Sequence, residues 1–208
     1  MICKLVLLSV LLLNKEDFSS LKDYLSLGEI IVVENEKKNG REFVQAIALI
    51  NAPAERVYDV ITDFEKYPDV FSDVKRVEII EKTPDTITAK FHLKSDLAII
   101  PVKISYTIKY YLRENEVTWD YIEGDLAYSD GFWKLYPEGN KTIVIYRLSF
   151  DIKPPNFFVK AVYEFVTKNR PILGTAALTS AVLVTVRAIK LKAETGMSFQ
   201  KRRGKYEF

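Results

Sequence analysis

The chain has 208 residues, 48% of them apolar and 28% charged, with a formal net charge of +2. This suits one packed domain with a short leader, excludes a disordered chain, and leaves no charge excess that would mark a nucleic-acid binder. One cysteine, Cys3, and one histidine, His92, exclude a disulfide framework and a Cys/His zinc site within a single chain.

Lys4 followed by the apolar run Leu5 to Leu13 reads as a leader, too short for a spanning helix of ~20 residues. Residues 1–13 are therefore expected to be a signal peptide or an uncleaved N-terminal anchor. Either places the protein in a periplasm-like space or on its membrane. The alternative is a buried N-terminal segment or a misassigned start, with cytoplasmic residence. Residues 14–27 set Phe18, Leu21, Tyr24 and Leu25 on one helical face, which predicts a short helix or linker.

Gly28 to Glu34 is rich in β-formers, Asn39-Gly40 is a hairpin turn signal, and Arg41 to Ile50 follows as a second strand. Asn51 is placed to cap the next helix, Pro53 suits its first turn, and Glu55 complements its dipole. Val57, Val60, Ile61 and Phe64 then fall at i, i+3, i+4 and i+7, one amphipathic face. The residue before a proline disfavours helix, so this helix is expected to stop near Tyr67-Pro68, with a second short helix or turn over 68–73.

From Val74 to Ile152 the apolar period is two. Strands are expected over Val77 to Glu81, Thr86 to Lys94, Val102 to Tyr111, Val117 to Ile122, Gly131 to Tyr136 and Thr142 to Ile152. Ile87, Ala89, Phe91 and Leu93 share a face, as do Tyr106, Ile108 and Tyr110, and Val144, Tyr146, Leu148 and Phe150. One face of an antiparallel meander is thus apolar and the other largely wet. Pro154-Pro155-Asn156 ends the sheet, and a helical stretch runs from Phe157 to about Glu194, broken or kinked at Pro171 and Gly174. Pro171 to Val186 carries no charge, yet is too short to span a bilayer comfortably and reads as a buried helix. Lys201, Arg202, Arg203 and Lys205 make residues 196–208 a basic tail, suited to a membrane-surface contact or to a solvated, frayed end.

The order strand, helix, antiparallel strands, long helix resembles the START-like superfamily, also called SRPBCC, and its coenzyme Q-binding and polyketide cyclase branch. Ala52-Pro53-x-x-x-Val57-Tyr58-x-Val60-Ile61-x-Asp63-Phe64-x-x-Tyr67-Pro68 is similar to that branch's opening helix. Gly131-Phe132-Trp133-Lys134-Leu135-Tyr136-Pro137, followed by Thr142 to Phe150, is similar to its closing strands. The resemblance covers residues 40–194, and a domain over 28–195 is expected. It implies an α+β helix-grip fold: a curved antiparallel sheet wrapped around a long C-terminal helix, with two short helices after the first core strand. It also implies a cavity between sheet and helix for lipids, quinones, sterols or polyketides.

Parity puts Phe91, Tyr106, Trp119, Trp133, Tyr146 and Phe150 on the concave side, with Phe64, Tyr67 and Phe71 near the cavity mouth. Any one of these aromatics is more readily a core residue than a ligand contact. As a set, opposite the small Gly174, Ala176, Ala177, Ser180 and Ala181, they suit a cavity with room for a ligand. No Gly-rich phosphate loop, metal-ligand cluster or nucleophile elbow is present in the sequence, so no catalytic residue, metal or cofactor is expected. His92 shares a strand face with Thr88, Lys90 and Lys94 and reads as a surface histidine. Asp63 reads as the end of the opening helix, Asp120 and Asp125 as solvated strand ends, and Arg147 as half of an exposed ion pair or a headgroup partner. The expected function is non-catalytic binding or transport of an apolar small molecule, with no nucleic-acid partner and the oligomeric state left open. A polyketide cyclase-like enzyme and a protein-interaction module of the same fold are the alternatives.

Overall fold

A computed structural model describes residues 18, 21–38, 41–97, 100–153 and 172–198. The expected leader, the Asn39-Gly40 turn, the proline pair at 154–155, the stretch 157–171 and the tail cations lie outside the described residues.

A one-turn helix α1 (Lys22–Ser26) precedes strands β1 (Ile30–Lys38) and β2 (Arg41–Ile50). Helix α2 (Ala54–Thr62), a 3-10 turn (Phe64–Lys66) and α3 (Tyr67–Val70) follow. Six strands come next: β3 (Val74–Lys82), β4 (Thr86–Leu97), β5 (Ile100–Arg113), β6 (Glu116–Gly124), β7 (Leu126–Glu138) and β8 (Lys141–Ile152). The last described element is α4 (Ile172–Thr195). All eight strands form one antiparallel sheet in the order β1-β2-β8-β7-β6-β5-β4-β3. This is the helix-grip arrangement that the element order implies. The strands outrun their apolar alternation because ladder bonding continues into polar ends: Glu138 still pairs with Lys141 where β7 turns into β8.

The opening helix ends at Thr62, earlier than the sequence suggests. Asp63 leaves the helical region at ψ 67° and closes the turn by donating its N–H to the Asp59 carbonyl, 2.9 Å away. Pro68 then lies in the first turn of α3 rather than ending α2, at a position where a missing N–H costs nothing. Asn51 does not cap α2. Its backbone N–H (2.8 Å) and side-chain amide (3.2 Å) both donate to the Glu194 carboxylate, which ties the start of α2 to the end of α4.

Helix α4 rests on β1, β2 and β8 and touches α2 and α3. Its buried stripe is Leu178, Val182, Val186, Ile189 and Ala193, at helical spacing. Of the small residues expected to face the sheet, Ala176, Ala177 and Ser180 do not do so, being exposed, while Ala181 is half-buried. The close approach comes from the sheet instead, where Ala46 and Ala48 of β2 are fully buried in the cluster that α4 covers. No described helix is long and apolar enough to cross a membrane.

The convex face is not uniformly wet. On β2 and β8 it carries Ile47, Leu49, Ile143 and Ile145, all buried, and Leu21 and Leu25 of the α1 segment seal them. Phe18 joins that cluster edge-on to Tyr136, with ring centroids 5.1 Å apart. Strands with apolar residues on both faces need a cover on each, and the segment outside the family pattern supplies the second one.

Candidate ligand-binding site

The concave face of β3 to β8 is paved with rings. Trp133 and Tyr146 stack with centroids 4.1 Å apart, and Tyr146 reaches Trp119 at 6.2 Å. Trp119 meets Tyr110 at 5.9 Å, and Tyr110 stacks on Phe64 at 4.1 Å. Phe64 contacts Tyr67 at 5.2 Å, Tyr67 contacts Phe71 at 4.9 Å, and Phe91 stacks on Tyr106 at 5.4 Å. The 3-10 turn and α3 place Phe64, Tyr67 and Phe71 in this belt, and the period-two strands place the rest. Gly131 is required here, because a Cβ at that position would overlap the Trp119 ring and the Arg147 carbonyl.

All nine aromatics singled out from the sequence fall in this one cluster, together with the inner stripe of α4. They divide into two sets. Phe64, Phe91, Trp119, Trp133 and Tyr146 are buried and form the packed wall. Tyr67, Phe71, Tyr106 and Phe150 keep some accessible surface while packing against that wall. Tyr110 belongs with the second set and is absent from the sequence-derived site, although its parity with Tyr106 is visible in the sequence.

Four phenols meet in this environment. Tyr67 donates to the Ile61 carbonyl at 2.6 Å, and burial holds its pKa well above the usual phenol value, helped by Tyr146, Tyr106 and Asp63. Burial pushes Tyr106 up to about 12 and holds Tyr110 well above 10, with Tyr106, Tyr67 and Tyr146 adding to the second. Tyr146 is raised by the same desolvation and by Tyr106, against the opposing effect of a hydrogen bond with Thr185 of α4. Neither Tyr106 nor Tyr110 has a hydrogen-bond partner for its hydroxyl among the described residues. Both rings stay partly accessible although protein surrounds them. Trp119 is satisfied, its indole N–H donating to Ser129 Oγ at 3.2 Å. At the N-terminal end of α4, Thr175 Oγ1 donates to the Glu42 carboxylate at 2.7 Å, so one carboxylate also turns toward the helix.

His92 lies on the opposite, convex face as expected, but is less free than a simple surface residue. Its Nε2 is 2.9 Å from Glu78 and its Nδ1 is 2.9 Å from Ser105 Oγ. Asp125 is likewise engaged: its carboxylate accepts the Ser105 N–H at 2.8 Å and its own N–H donates to the Ser105 carbonyl at 2.9 Å. Asp120 accepts the Tyr111 hydroxyl at 2.9 Å. The Arg147 guanidinium lies over the Phe43 ring, 4.1 Å from its centroid, with Phe132 at 5.9 Å, so it stacks between rings instead of standing in solvent. An open depression of about 980 Å³ runs between α2 and the β3–β4, β5–β6 and β7–β8 turns. It is rimmed by Glu55, Asp59, Asp85 and Glu114, faces solvent, and lies apart from the aromatic belt.

Residues 50–170 match the family described as polyketide cyclase / dehydrase and lipid transport. The chain belongs to this family. Among solved structures, one from Thermus thermophilus is similar at TM-score 0.61 and 20% identity, covering 75% of this chain and 99% of that one. The lipid transfer and protein localization domain of human StarD13 is similar at TM-score 0.59 and 13% identity, covering 90% and 100%. The Zhui aromatase/cyclase from a Streptomyces species is similar at TM-score 0.53 and 15% identity, covering 76% and 99%. At such identities these likenesses establish the fold, a START-like one. A comparison with curated proteins finds no match.

Proposed function

We propose that this family member is a non-catalytic carrier of an apolar small molecule, a lipid or a quinone, held between the concave sheet and α4. The observation that carries the reading is the belt of partly accessible rings and phenols beneath α4, set in a desolvated environment. Phenols with raised pKa stay protonated at neutral pH, which makes them hydrogen-bond donors and poor general bases. The histidine is on the far face, bonded to Glu78 and Ser105. In the same proposal the leader exports or anchors the protein and the basic tail meets a membrane surface during transfer.

Native mass spectrometry of protein purified from its own host, followed by organic extraction, tests this. The expected result is one apolar ligand per chain, recovered chemically unchanged after prolonged incubation. A clean apo mass would count against a carrier. A tagged full-length chain recovered wholly in the cytoplasm would remove the export half.

One feature favours a second reading, a cyclase-type enzyme: the Glu42 carboxylate directed at α4. If a poly-ketone chain is turned over and Glu42→Gln stops the turnover, the enzyme replaces the carrier.

A further inference from the structure

The polar groups of the concave face have one character. Tyr67 spends its hydroxyl on the Ile61 carbonyl, and Tyr146 is engaged with Thr185. Tyr106 and Tyr110 remain, on one face of β5 and flanking the Phe91 ring at 5.4 and 6.1 Å. Each offers an O–H donor without a partner among the described residues, amid apolar rings and on a side chain that keeps some accessible surface. An O–H so placed can be presented to an acceptor on whatever lies against these rings.

The charges show the complementary pattern. Strand parity sends Lys90, His92, Lys94, Lys103 and Lys109 to the convex face, opposite the rings. The cations of the described part of α4, Arg187, Lys190 and Lys192, fall in its C-terminal half, and Lys190 is taken by the Leu49 carbonyl and Glu194. Lys153 sits exposed beside Tyr121, 5.7 Å from its ring centroid, where β8 leaves the sheet. The described charged side chain that turns toward the space is Glu42, itself an acid. An anionic headgroup entering there would lose its water and meet phenols and a carboxylate in place of a cation, and burying an unpaired charge is far more costly than burying a neutral acceptor.

Resting on the carrier reading above, we propose that the cavity selects by charge. It takes uncharged apolar molecules bearing a ketone, quinone or ester oxygen and rejects carboxylate- and phosphate-headed ones, with Tyr106 and Tyr110 as the specificity-determining donors.

The test is a titration of intrinsic fluorescence, reported by Trp119 and Trp133, with a matched set of chain length: 2-tridecanone, methyl dodecanoate, dodecanoate and dodecane. At pH 8 the ketone and the ester should bind at least ten-fold more tightly than the carboxylate and several-fold more tightly than the hydrocarbon. Tyr106→Phe with Tyr110→Phe should bring the ketone down to the level of the hydrocarbon, with an unchanged circular dichroism spectrum as the control for folding. A second measurement needs no variant. A fatty carboxyl has an ordinary pKa of about 4 to 5, so its binding to the unaltered protein should strengthen at least ten-fold from pH 8 to pH 5 as it becomes neutral. Equal affinity for carboxylate and ester at pH 8 would overturn selection by charge while leaving an apolar carrier intact. A ketone preference that survives in the double variant would overturn the role of the two phenols. Failure of all four compounds to bind would overturn the carrier reading and this inference together.

Discussion

The two halves of the sheet are built for different ends. In the half made by β2 and β8, residues are buried on both faces: Val44, Ala46 and Ala48 toward α4, Ile47, Leu49, Ile143 and Ile145 toward α1. These side chains are aliphatic and helices approach the backbone from both sides, while Tyr146 and Phe150 of β8 already belong to the ring belt. In the half made by β4, β5 and β6 the inner face carries Phe91, Tyr106, Tyr110 and Trp119, while the outer face carries lysines, His92 and Asp120. One half is a sealed three-layer foundation. The other is a single wall with large amphipathic rings inside, and it is there that polar groups without partners among the described residues are found. The contrast shows how one sheet separates stability from recognition: tight aliphatic packing on one side leaves rings on the other side free to keep open surface.

Predictions from this contrast run from large to small. Ile47→Ala, at a fully buried position under α1, should cost about 2–5 kcal/mol in urea denaturation. Ligand affinity should hold in that variant, and an equal loss of both would show the two halves to be one functional unit. Gly131→Ala should cost about 1–3 kcal/mol, because the added methyl overlaps the Arg147 carbonyl of β8 and the Trp119 ring, and should also weaken ligand binding. Retained affinity with retained stability would remove Trp119 from the wall. Glu194→Ala removes the shared acceptor of Asn51 and Lys190 and should lower stability by about 1–3 kcal/mol, read as a drop in Tm.

Alkaline pH probes the ring belt without mutation. The folded-state pKa values of Tyr67, Tyr106, Tyr110 and Tyr146 are raised above the phenol value of 10, to about 12 for Tyr106. Their contribution to stability is complete below pH 10, where these phenols are protonated whether folded or not. It is lost as pH rises through the raised folded values, because the unfolded chain ionises first. Stability followed by denaturant midpoint should fall from pH 10 upward, and less steeply in the Tyr106→Phe, Tyr110→Phe variant. Unchanged steepness would place these phenols in water. The smallest effect belongs to the outer face of β5. Thr107 Oγ1 is buried without a partner among the described residues, so Thr107→Val should stabilise by up to about 1 kcal/mol. Destabilisation would reveal a partner for it.

The strands β3 to β8 and the concave set of rings were legible because a strand's period of two is strict: once Ile87, Ala89 and Phe91 share a face, every neighbour's side is assigned. The opening helix was legible through Val57, Ile61 and Phe64, but its end was not. The 3-10 turn at Phe64–Lys66 keeps nearly the same side chains inward, so the apolar pattern runs on past the last α-helical bond. Strand ends escaped because backbone pairing does not need apolar residues.

The sequence alone determined the fold class and which rings share the inner face, because alternation along a strand and the uncharged C-terminal helix leave few ways to bury apolar surface. It did not determine the phase of that helix. Between Ile172 and Val186 nearly every turn is apolar, so no face stands out, and Val184 ends up 57% exposed while Val182 is buried. Only packing against Ala46 and Ala48 of β2 selects the stripe, and that left Ala176 and Ala177 outside. Nor could the sequence show that α1 closes the back of β2 and β8, or which phenols lack a partner among the described residues. Both depend on atoms brought together from distant parts of the chain, where distance and desolvation, not pattern, decide.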